Sequence, residues 1–125
     1  MIRVVAAVIQ KKRRFLICKR PGSKRHGGLW EFPGGKVRAE ETDFAAMRRE
    51  LSEELNVITS EVGDTLLKVQ DPGTAFLVVF KDVSIIGEPQ ALEHSELRWA
   101  KPLELIGLRL APSDEVFVNR YLLRN

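Results

Sequence analysis

Acidic side chains crowd one short stretch of the chain, residues 35–57, which reads GKVRAEETDFAAMRRELSEELNV. If this stretch forms a helix, Glu50, Glu53 and Glu54 share one flank of it, and Glu41 lies just before it. Like charges three or four residues apart on a helix repel, at a cost of roughly 0.2–0.5 kcal/mol for each pair. Carboxylate oxygens are also the ligands that Mg²⁺ and Mn²⁺ prefer. The pattern therefore predicts a divalent metal site.

The spacing of these residues is more specific than their charge. Gly35 is followed, at intervals of five and then seven residues, by an ordered set: Glu41, Arg49, Glu50, Leu51, Glu53 and Glu54. At ordinary residue frequencies, six such positions occur by accident in roughly one chain in 10⁵ of this length. The pattern resembles the signature of the Nudix hydrolase family. One departure is Asn56, where that family usually has Gly.

The resemblance extends along nearly the whole chain. The segment GGLWEFPGGK at residues 27–36 is similar to the nucleotide-sanitising MutT branch of the family. Further matches are Arg20, GEP at residues 87–89, Glu93, Trp99 and LAPSD at residues 110–114. The resemblance implies an α/β fold, the Nudix-type α/β/α sandwich with a mixed sheet and a catalytic loop-helix-loop. It also implies a hydrolase that converts a nucleoside triphosphate to the monophosphate and pyrophosphate with Mg²⁺, or with Mn²⁺ as the alternative.

The resemblance assigns the metal ligands residue by residue. Glu50, Glu53 and Glu54 would bind the metal from the helix, and the Gly34 carbonyl would add a ligand. Glu93 would supply a carboxylate from the far side of the site, the alternative being an ordinary loop acid.

The remaining residues of the signature would support the reaction. Either Glu50 or Glu93 would take a proton from the attacking water, and the residues alone do not decide between them. Arg49 can hold the Glu53 carboxylate four positions further along the helix. Gly35 and Glu41 would shape the loop before the helix.

Four residues are candidates for binding the substrate. Arg20 and Lys36 are candidate phosphate contacts, with solvated surface charge as the alternative. Phe32 either stacks on the base or belongs to the core. Asp114 either reads the base or is simply an acid at a helix start. A carboxylate accepts hydrogen bonds, so it suits the cytosine amino group or the Watson–Crick donors of guanine.

The identity of the substrate stays open at this point. An oxidised nucleotide such as 8-oxo-dGTP is the first candidate, and CTP or a modified dCTP is the second. Gly73 stands where MutT has a nucleotide-binding Arg, which weakens the transfer of MutT specificity. The candidate from another class is a non-catalytic module that binds a damaged base or a nucleotide, but such modules need not keep the carboxylates that this chain keeps.

A helix over residues 43–55 would position the acidic side chains. Thr42 is a suitable N-cap, and Asp43 complements the positive first turn. The predicted buried stripe on the other flank consists of Phe44, Met47, Leu51 and Leu55. Asn56 falls where the helix should end in a left-handed residue, a position that Asn tolerates second only to Gly.

The other elements follow from composition and periodicity. Residues 3–9 and 14–19 are expected to form a strand pair around a polar turn. Further strands are expected at residues 65–70, 74–83 and 96–100, a short helical turn at 102–106, and a closing helix at 113–123.

Length and composition bound the class of protein. The 125 residues match the size of one domain, so we expect a single domain over residues 1–125. Hydrophobic residues make up 44% and charged residues 30%, which argues against disorder or a membrane span. The first apolar run ends at basic residues and is too short for a secretory signal, which favours a cytoplasmic protein. A monomer and a homodimer are both compatible with the sequence.

Charge is unevenly distributed along the chain. Residues 1–30 contain nine Lys or Arg and no acid, whereas residues 40–64 contain eight acids and two Arg. The basic run at residues 11–14 is expected to be a solvated hairpin turn, with phosphate steering or weak nucleic-acid contact as the alternative. Nucleic acid is therefore not the expected partner. The single cysteine, Cys18, is expected to be a buried apolar side chain, and His26 and His94 are expected at the surface.

Overall fold

The fold consists of eight strands and three helices in the computed structural model, which describes residues 1–124. In chain order they are β1 (Ile2–Val8), β2 (Gln10–Lys11), β3 (Arg14–Lys19), β4 (Trp30–Glu31), β5 (Gly34–Lys36), α1 (Asp43–Leu55), β6 (Ile58–Gln70), β7 (Phe76–Ile86), β8 (Glu96–Ala100), α2 (Pro102–Ile106) and α3 (Pro112–Phe117). A π-helical segment, Val118–Leu122, follows α3.

The strands form two sheets. In the first sheet the order is β5-β1-β7-β6, and β1 is parallel to β7 but antiparallel to β5. In the second sheet β3 pairs with β8 along one edge and with β2 and then β4 along the other. A parallel bridge joins Trp30 to Leu110, just before α3.

The expected pairing of residues 3–9 with residues 14–19 is wrong for β1, although the Leu16 N–H does donate to the Ile9 carbonyl just after β1, at 3.0 Å. Both segments are strands, but β1 lies in the first sheet and β3 lies in the second. The hairpin partner of β3 is the two-residue strand β2, reached through a turn at Lys12 and Arg13 in which both residues have positive φ. Both long strands are buried on their two faces, so alternation of polar and apolar residues could not indicate which neighbour each one has.

Alternate side chains of β1 and β3 enter two separate hydrophobic clusters. Val5 and Leu16 pack with α1, whereas Ala6 and Ile17 pack with α2 and α3. A helix buries one of its faces, and a sheet has two faces that must be covered. The strands are therefore enclosed between helices. The predicted α/β sandwich with a mixed sheet is confirmed.

Helix α1 begins and ends where the sequence predicts. The Thr42 hydroxyl accepts a hydrogen bond from the backbone N–H of Ala45, at 3.0 Å, and Asn56 adopts the left-handed conformation with φ 56° and ψ 42°. Met47, Leu51 and Leu55 are buried as predicted. Phe44 is not, because it is 40% exposed and its ring lies under the guanidinium of Arg48, while Ala46 takes a buried place in the stripe.

Other elements differ from the prediction mainly in length. Strand β6 begins well before the predicted segment 65–70, and β7 is shifted by a few residues from the predicted segment 74–83. The two strands pair antiparallel, with irregular register in β6. The predicted closing helix over residues 113–123 divides into α3 and the π-helical segment. Strand β8 and helix α2 match their predicted bounds.

Cys18 is buried, as predicted, and burial raises the pKa of its thiol well above the ordinary value, which makes it a poor nucleophile. None of the helices within residues 1–124 combines the length and apolarity that crossing a membrane requires.

Candidate active site

Two glycines of β5 bring the backbone against the carboxylates of α1. Gly34 has φ 152°, and a Cβ there would collide with the Val5 carbonyl of the neighbouring strand. At Gly35 a Cβ would collide with the Glu50 carboxylate itself. Only glycine therefore allows β5 to pair with β1 while Glu50 packs on its backbone.

Arg49 organises the loop between β5 and α1. Its guanidinium donates to both carboxylate oxygens of Glu41, at 2.8 and 2.9 Å, and to the Lys36 carbonyl at 3.0 Å. The hydrogen bonds from Arg49, helped by one from the Arg38 backbone N–H, lower the pKa of Glu41 to about 2. Arg49 also donates to Glu50 at 2.6 Å. One cation thus ties the loop, the strand and the helix together.

Glu54 is the buried member of the acidic flank. It is only 4% exposed, and burial is the largest cause of a raised pKa for its carboxyl, followed by a hydrogen bond with Glu50 and by the charges of Glu50, Glu31 and Glu93. A carboxyl in such surroundings stays neutral unless a cation replaces its proton. This is the chemistry of a metal ligand, and it fits the predicted role of Glu54.

A cavity of about 410 Å³, here called the acidic cavity, opens beside these residues. Its acidic and basic lining comprises Arg20, Lys24, Glu31, Glu50, Glu54, Glu93 and His94, with the Gly34 backbone between them. Glu53 lies outside this lining, with its side chain 48% exposed and 3.8 Å from Arg49. No three His, Cys, Asp or Glu side chains within residues 1–124 already have metal-binding geometry, so Glu50, Glu53, Glu54 and Glu93 would need rotamer changes to share one ion.

A second cavity, here called the Asp114 cavity, has a volume of about 340 Å³. Asp114 is 8% exposed and accepts a hydrogen bond of 2.8 Å from the Phe32 backbone N–H. Burial, followed by the charge of Glu31, raises the pKa of Asp114 well above its ordinary value. Next to it, the Ser113 hydroxyl donates to Asp71 in the β6–β7 turn. The Asp114 carboxylate is thus held by the Phe32 backbone and by its own backbone N–H while it lines this cavity.

The other predicted substrate-binding residues also line the Asp114 cavity. Lys36 is exposed and places its ammonium 5.1 Å from the centre of the Phe76 ring. Phe32 is 3% exposed and makes edge-on contacts with the rings of Phe80 and Phe117. This burial favours the core interpretation of Phe32 over stacking on a base.

The two cavities adjoin at Arg20, Glu31 and Gly34, which line both. Arg20 donates to the Arg25 carbonyl at 2.7 Å and to the Glu31 carboxylate at 3.2–3.3 Å. A ligand can therefore extend from Asp114 to the acidic helix past one fixed cation.

Glu31 and His94 are site residues that sequence reasoning missed. The expectation that His94 lies at the surface is wrong, because its side chain is only 5% exposed and its Nε2 lies 2.9 Å from Glu31. Neither residue has the ligand spacing that would mark it in a sequence. The one available signal was adjacency, since Glu31 lies inside the matched segment at residues 27–36 and His94 follows Glu93.

A larger cavity of about 860 Å³ lies apart from the acidic helix. It is lined by the basic hairpin at residues 11–14, Trp99 and helix α2, and it contains no residue of the acidic cavity. By size alone this cavity would be the candidate active site, but its lining side chains do not suggest a reaction. The predicted hairpin turn at residues 11–14 is confirmed.

An acidic helix set against a glycine strand, next to a cavity rimmed by Arg and Lys, defines a class of enzymes that act on phosphate groups with a divalent metal. The model of the NUDIX domain matches residues 1–123. The chain belongs to the Nudix family, and it is a Nudix hydrolase with the metal requirement general to that family.

Individual relatives agree with this assignment. The CTP pyrophosphohydrolase of Escherichia coli is 38% identical over 117 residues, which cover 91% of this chain and 86% of the relative. The 8-oxo-dGTP diphosphatase of Haemophilus influenzae is 29% identical over 126 residues, covering 98% and 92%. A MutT structure from work on Aliivibrio salmonicida and Vibrio cholerae superposes with a TM-score of 0.83 at 30% identity, covering 99% of this chain and 98% of that one.

Proposed function

We propose that this protein hydrolyses a nucleoside triphosphate to the monophosphate and pyrophosphate, and that its substrate is an oxidised nucleotide such as 8-oxo-dGTP. The observation that carries the proposal is the continuity of the two cavities through Arg20, Glu31 and Gly34. One end offers buried carboxylates for a metal, and the other offers Asp114 for a base. The proposal treats residues 1–125 as one catalytic domain that acts in the cytoplasm as a monomer or a homodimer.

The metal would be held by the carboxylates of Glu50, Glu53 and Glu54, the Gly34 carbonyl and Glu93. The buried, like-charged surroundings of Glu54 support this assignment, because a divalent cation relieves them. Mg²⁺ is the proposed ion, with Mn²⁺ as the alternative, since both favour oxygen ligands. When bound, the metal neutralises phosphate charge and lowers the pKa of a water.

The side chains around the metal would orient the substrate and move the proton. Glu50 or Glu93 would accept the proton of the attacking water. Glu50 already shares one oxygen with Arg49 at 2.6 Å, whereas Glu93 is exposed to the acidic cavity. Arg20 and Lys36 would contact the phosphates, because Arg20 lines both cavities and Lys36 lines the Asp114 cavity.

Asp114 would choose the base. Its charged form accepts hydrogen bonds and suits the cytosine amino group or the donor edge of guanine. Its raised pKa also allows a protonated form, which both donates and accepts as an Asn does. CTP or a modified dCTP is therefore a second candidate substrate, supported by Asp114 and by the 38% identical relative that carries the CTP name.

The test compares Asp114→Asn with the wild type on 8-oxo-dGTP and on dCTP. If the charged carboxylate of Asp114 reads the base, the ratio of the two kcat/KM values should change by roughly 10-fold or more, since one good base contact is worth about 1–3 kcal/mol. Glu115→Gln is the matched control, because Glu115 is the exposed acid next to Asp114 in α3. Equal losses on both substrates would remove Asp114 from base selection.

A turnover screen with ordinary and oxidised nucleotides, each with Mg²⁺ and with Mn²⁺, would identify the substrate. Release of pyrophosphate from one oxidised nucleotide above all others is the expected result. Tight nucleotide binding with no turnover in either metal would overturn the proposal in favour of the non-catalytic module.

A further inference from the structure

His94 occupies a position between two acids of different character. Its side chain is 5% exposed, and its Nε2 lies 2.9 Å from a Glu31 oxygen and 3.8 Å from a Glu54 oxygen. Because a carboxylate only accepts, Nε2 carries the hydrogen and donates to Glu31. Glu31 lines both cavities, whereas Glu54 belongs to the metal-binding flank of α1.

The second ring nitrogen of His94, Nδ1, indicates that packing alone does not explain a histidine at this position. Nδ1 is buried and finds no hydrogen-bond partner within residues 1–124. Leaving a buried polar nitrogen unpaired destabilises a protein, so an apolar side chain of similar size would suit the space at least as well. The interaction on the Nε2 side is therefore what a histidine adds at this position.

The loop that carries His94 is fixed by its backbone. The N–H of Leu92 donates to the Glu54 carbonyl at 3.1 Å, and the N–H of Ser95 donates to the Lys19 carbonyl at 3.0 Å. These two bonds hold the backbone on either side of Glu93 and His94, and so they fix the position from which the imidazole extends. Glu31, in turn, also accepts from Arg20, at 3.2 Å to the oxygen that His94 contacts and at 3.3 Å to the other oxygen.

We propose that His94 is a positioning residue that separates the carboxylates of the site, keeping Glu31 at the junction of the two cavities and out of the metal-binding set. The inference rests on the proposed function. Glu31 and Glu54 both approach the same imidazole nitrogen, so releasing Glu31 from His94 would leave it a free carboxylate beside the proposed ligand Glu54. An added carboxylate raises the affinity for the metal but removes Glu31 from the junction.

The test compares His94→Leu, which fills the space without a donor, with His94→Gln, which keeps an N–H donor at similar reach. In His94→Leu we expect Mn²⁺ to bind at least about threefold more tightly, measured by water proton relaxation without nucleotide, while kcat/KM falls about 10-fold or more. His94→Gln should restore most of both values. The melting temperature without metal should stay at or above that of the wild type.

A double-mutant cycle with Glu31→Gln identifies the residue through which His94 acts. In the Glu31→Gln background, adding His94→Leu should change Mn²⁺ affinity and kcat/KM by less than about twofold. Ser95→Ala is the control, because it removes only a 3.3 Å hydrogen bond from the same loop to the Lys19 carbonyl.

Unchanged or weaker Mn²⁺ binding in His94→Leu would overturn the proposal, as would a full effect of His94→Leu in the Glu31→Gln background. The Mn²⁺ measurements need no substrate, so they test the role of His94 even if the wild type hydrolyses none of the nucleotides. Failure of the wild type to hydrolyse the nucleotides would count against the proposed function alone.

Discussion

The Glu54 carboxyl is buried beside other acids, and this makes its protonation depend on the metal. Glu54→Gln replaces a neutral carboxyl with a neutral amide of similar shape. Without metal we expect the variant to melt at the wild-type temperature or above it. Activity should fall by more than about 100-fold, beyond the range typical of residues that merely support ligands.

Thermal melting with and without excess Mn²⁺ checks this prediction. The metal should raise the melting temperature of the wild type and leave that of Glu54→Gln almost unchanged, since only binding to the folded state stabilises it. Glu61→Gln, which changes an exposed acid on β6, should respond to Mn²⁺ as the wild type does. Full turnover of the wild type in excess chelator would contradict the metal assignment.

Asp114 makes stability depend on pH in a direction opposite to that of an ordinary ion-paired acid. Its folded-state pKa lies above its unfolded value, so the native state holds the proton more tightly and stability falls as pH rises from about 4 through the folded pKa. Asp114→Asn removes this titration and keeps an oxygen to accept from Phe32. The stability of Asp114→Asn relative to the wild type should therefore increase with pH.

Urea unfolding in chelator at about pH 4.5 and about pH 7.5 measures the difference. Asp64→Asn, at an exposed site on β6, should show no such increase. A constant difference between Asp114→Asn and the wild type would show that Asp114 is ionised in the folded protein across this range.

For single residues, the sequence predicted the positions of those whose spacing is fixed by one helix, because helical geometry is the same in every protein. Glu50, Glu54 and Arg49 lie where the spacing placed them. Glu31 and His94 meet from positions 63 residues apart. That contact depends on how β4 and the loop before β8 pack together, and no local pattern encodes it.

Among the elements, the end of α1 gives the clearest prediction. Asn56 has φ 56°, and Asn→Gly there should change the free energy of unfolding by only a few tenths of a kcal/mol, since both residues tolerate this conformation. Asn56→Ala should cost about 1 kcal/mol, because its Cβ meets the following carbonyl without a polar group to compensate. Urea midpoints of both variants check this, and turnover of both should stay close to the wild type.

A large loss of activity in Asn56→Gly would show that the side chain has a further role. One contact to consider is its amide N–H to the Gln90 side-chain oxygen at 3.4 Å, which links the end of α1 to the loop before Glu93.

Elements whose signals are local were predictable, and pairings between them were not. Capping residues predicted the ends of α1, and local composition and periodicity predicted β8 and α2, each with bounds close to those observed. The partner of β1 was not predictable, because β1 is buried on both faces and pairs with a strand far along the chain. Phe44 was wrongly predicted to be buried, because the apolar pattern of one helix does not show how far the neighbouring sheet extends.

Across the whole molecule, the uneven charge of the sequence corresponds to a separation in space. Basic residues of the first 30 positions, such as Arg20 and Lys24, face the acidic flank of α1 across the acidic cavity. The four consecutive basic residues at positions 11–14 instead lie at the hairpin turn, on a different cavity. The sequence shows that charge is uneven, but the fold decides which cations face the acidic helix.

The parallel pairing of β1 with β7 also constrains the order in which the chain can fold. Ile2 pairs with Phe76 and Val8 with Asp82, so β1 lacks its long partner until β7, far along the chain, has been made. A fragment ending at residue 75 should therefore show no cooperative melting by circular dichroism, although it contains all of α1. A cooperative transition in that fragment would mean that β5 alone suffices to order β1.

During synthesis, β1 is an apolar segment rich in Val and Ala that lacks its long partner β7, and such segments promote aggregation. The four consecutive cations at residues 11–14 follow it closely in the chain, and repulsion between like charges opposes the stacking of such strands from different chains. The basic hairpin can thus protect the nascent chain from self-association before any substrate site exists.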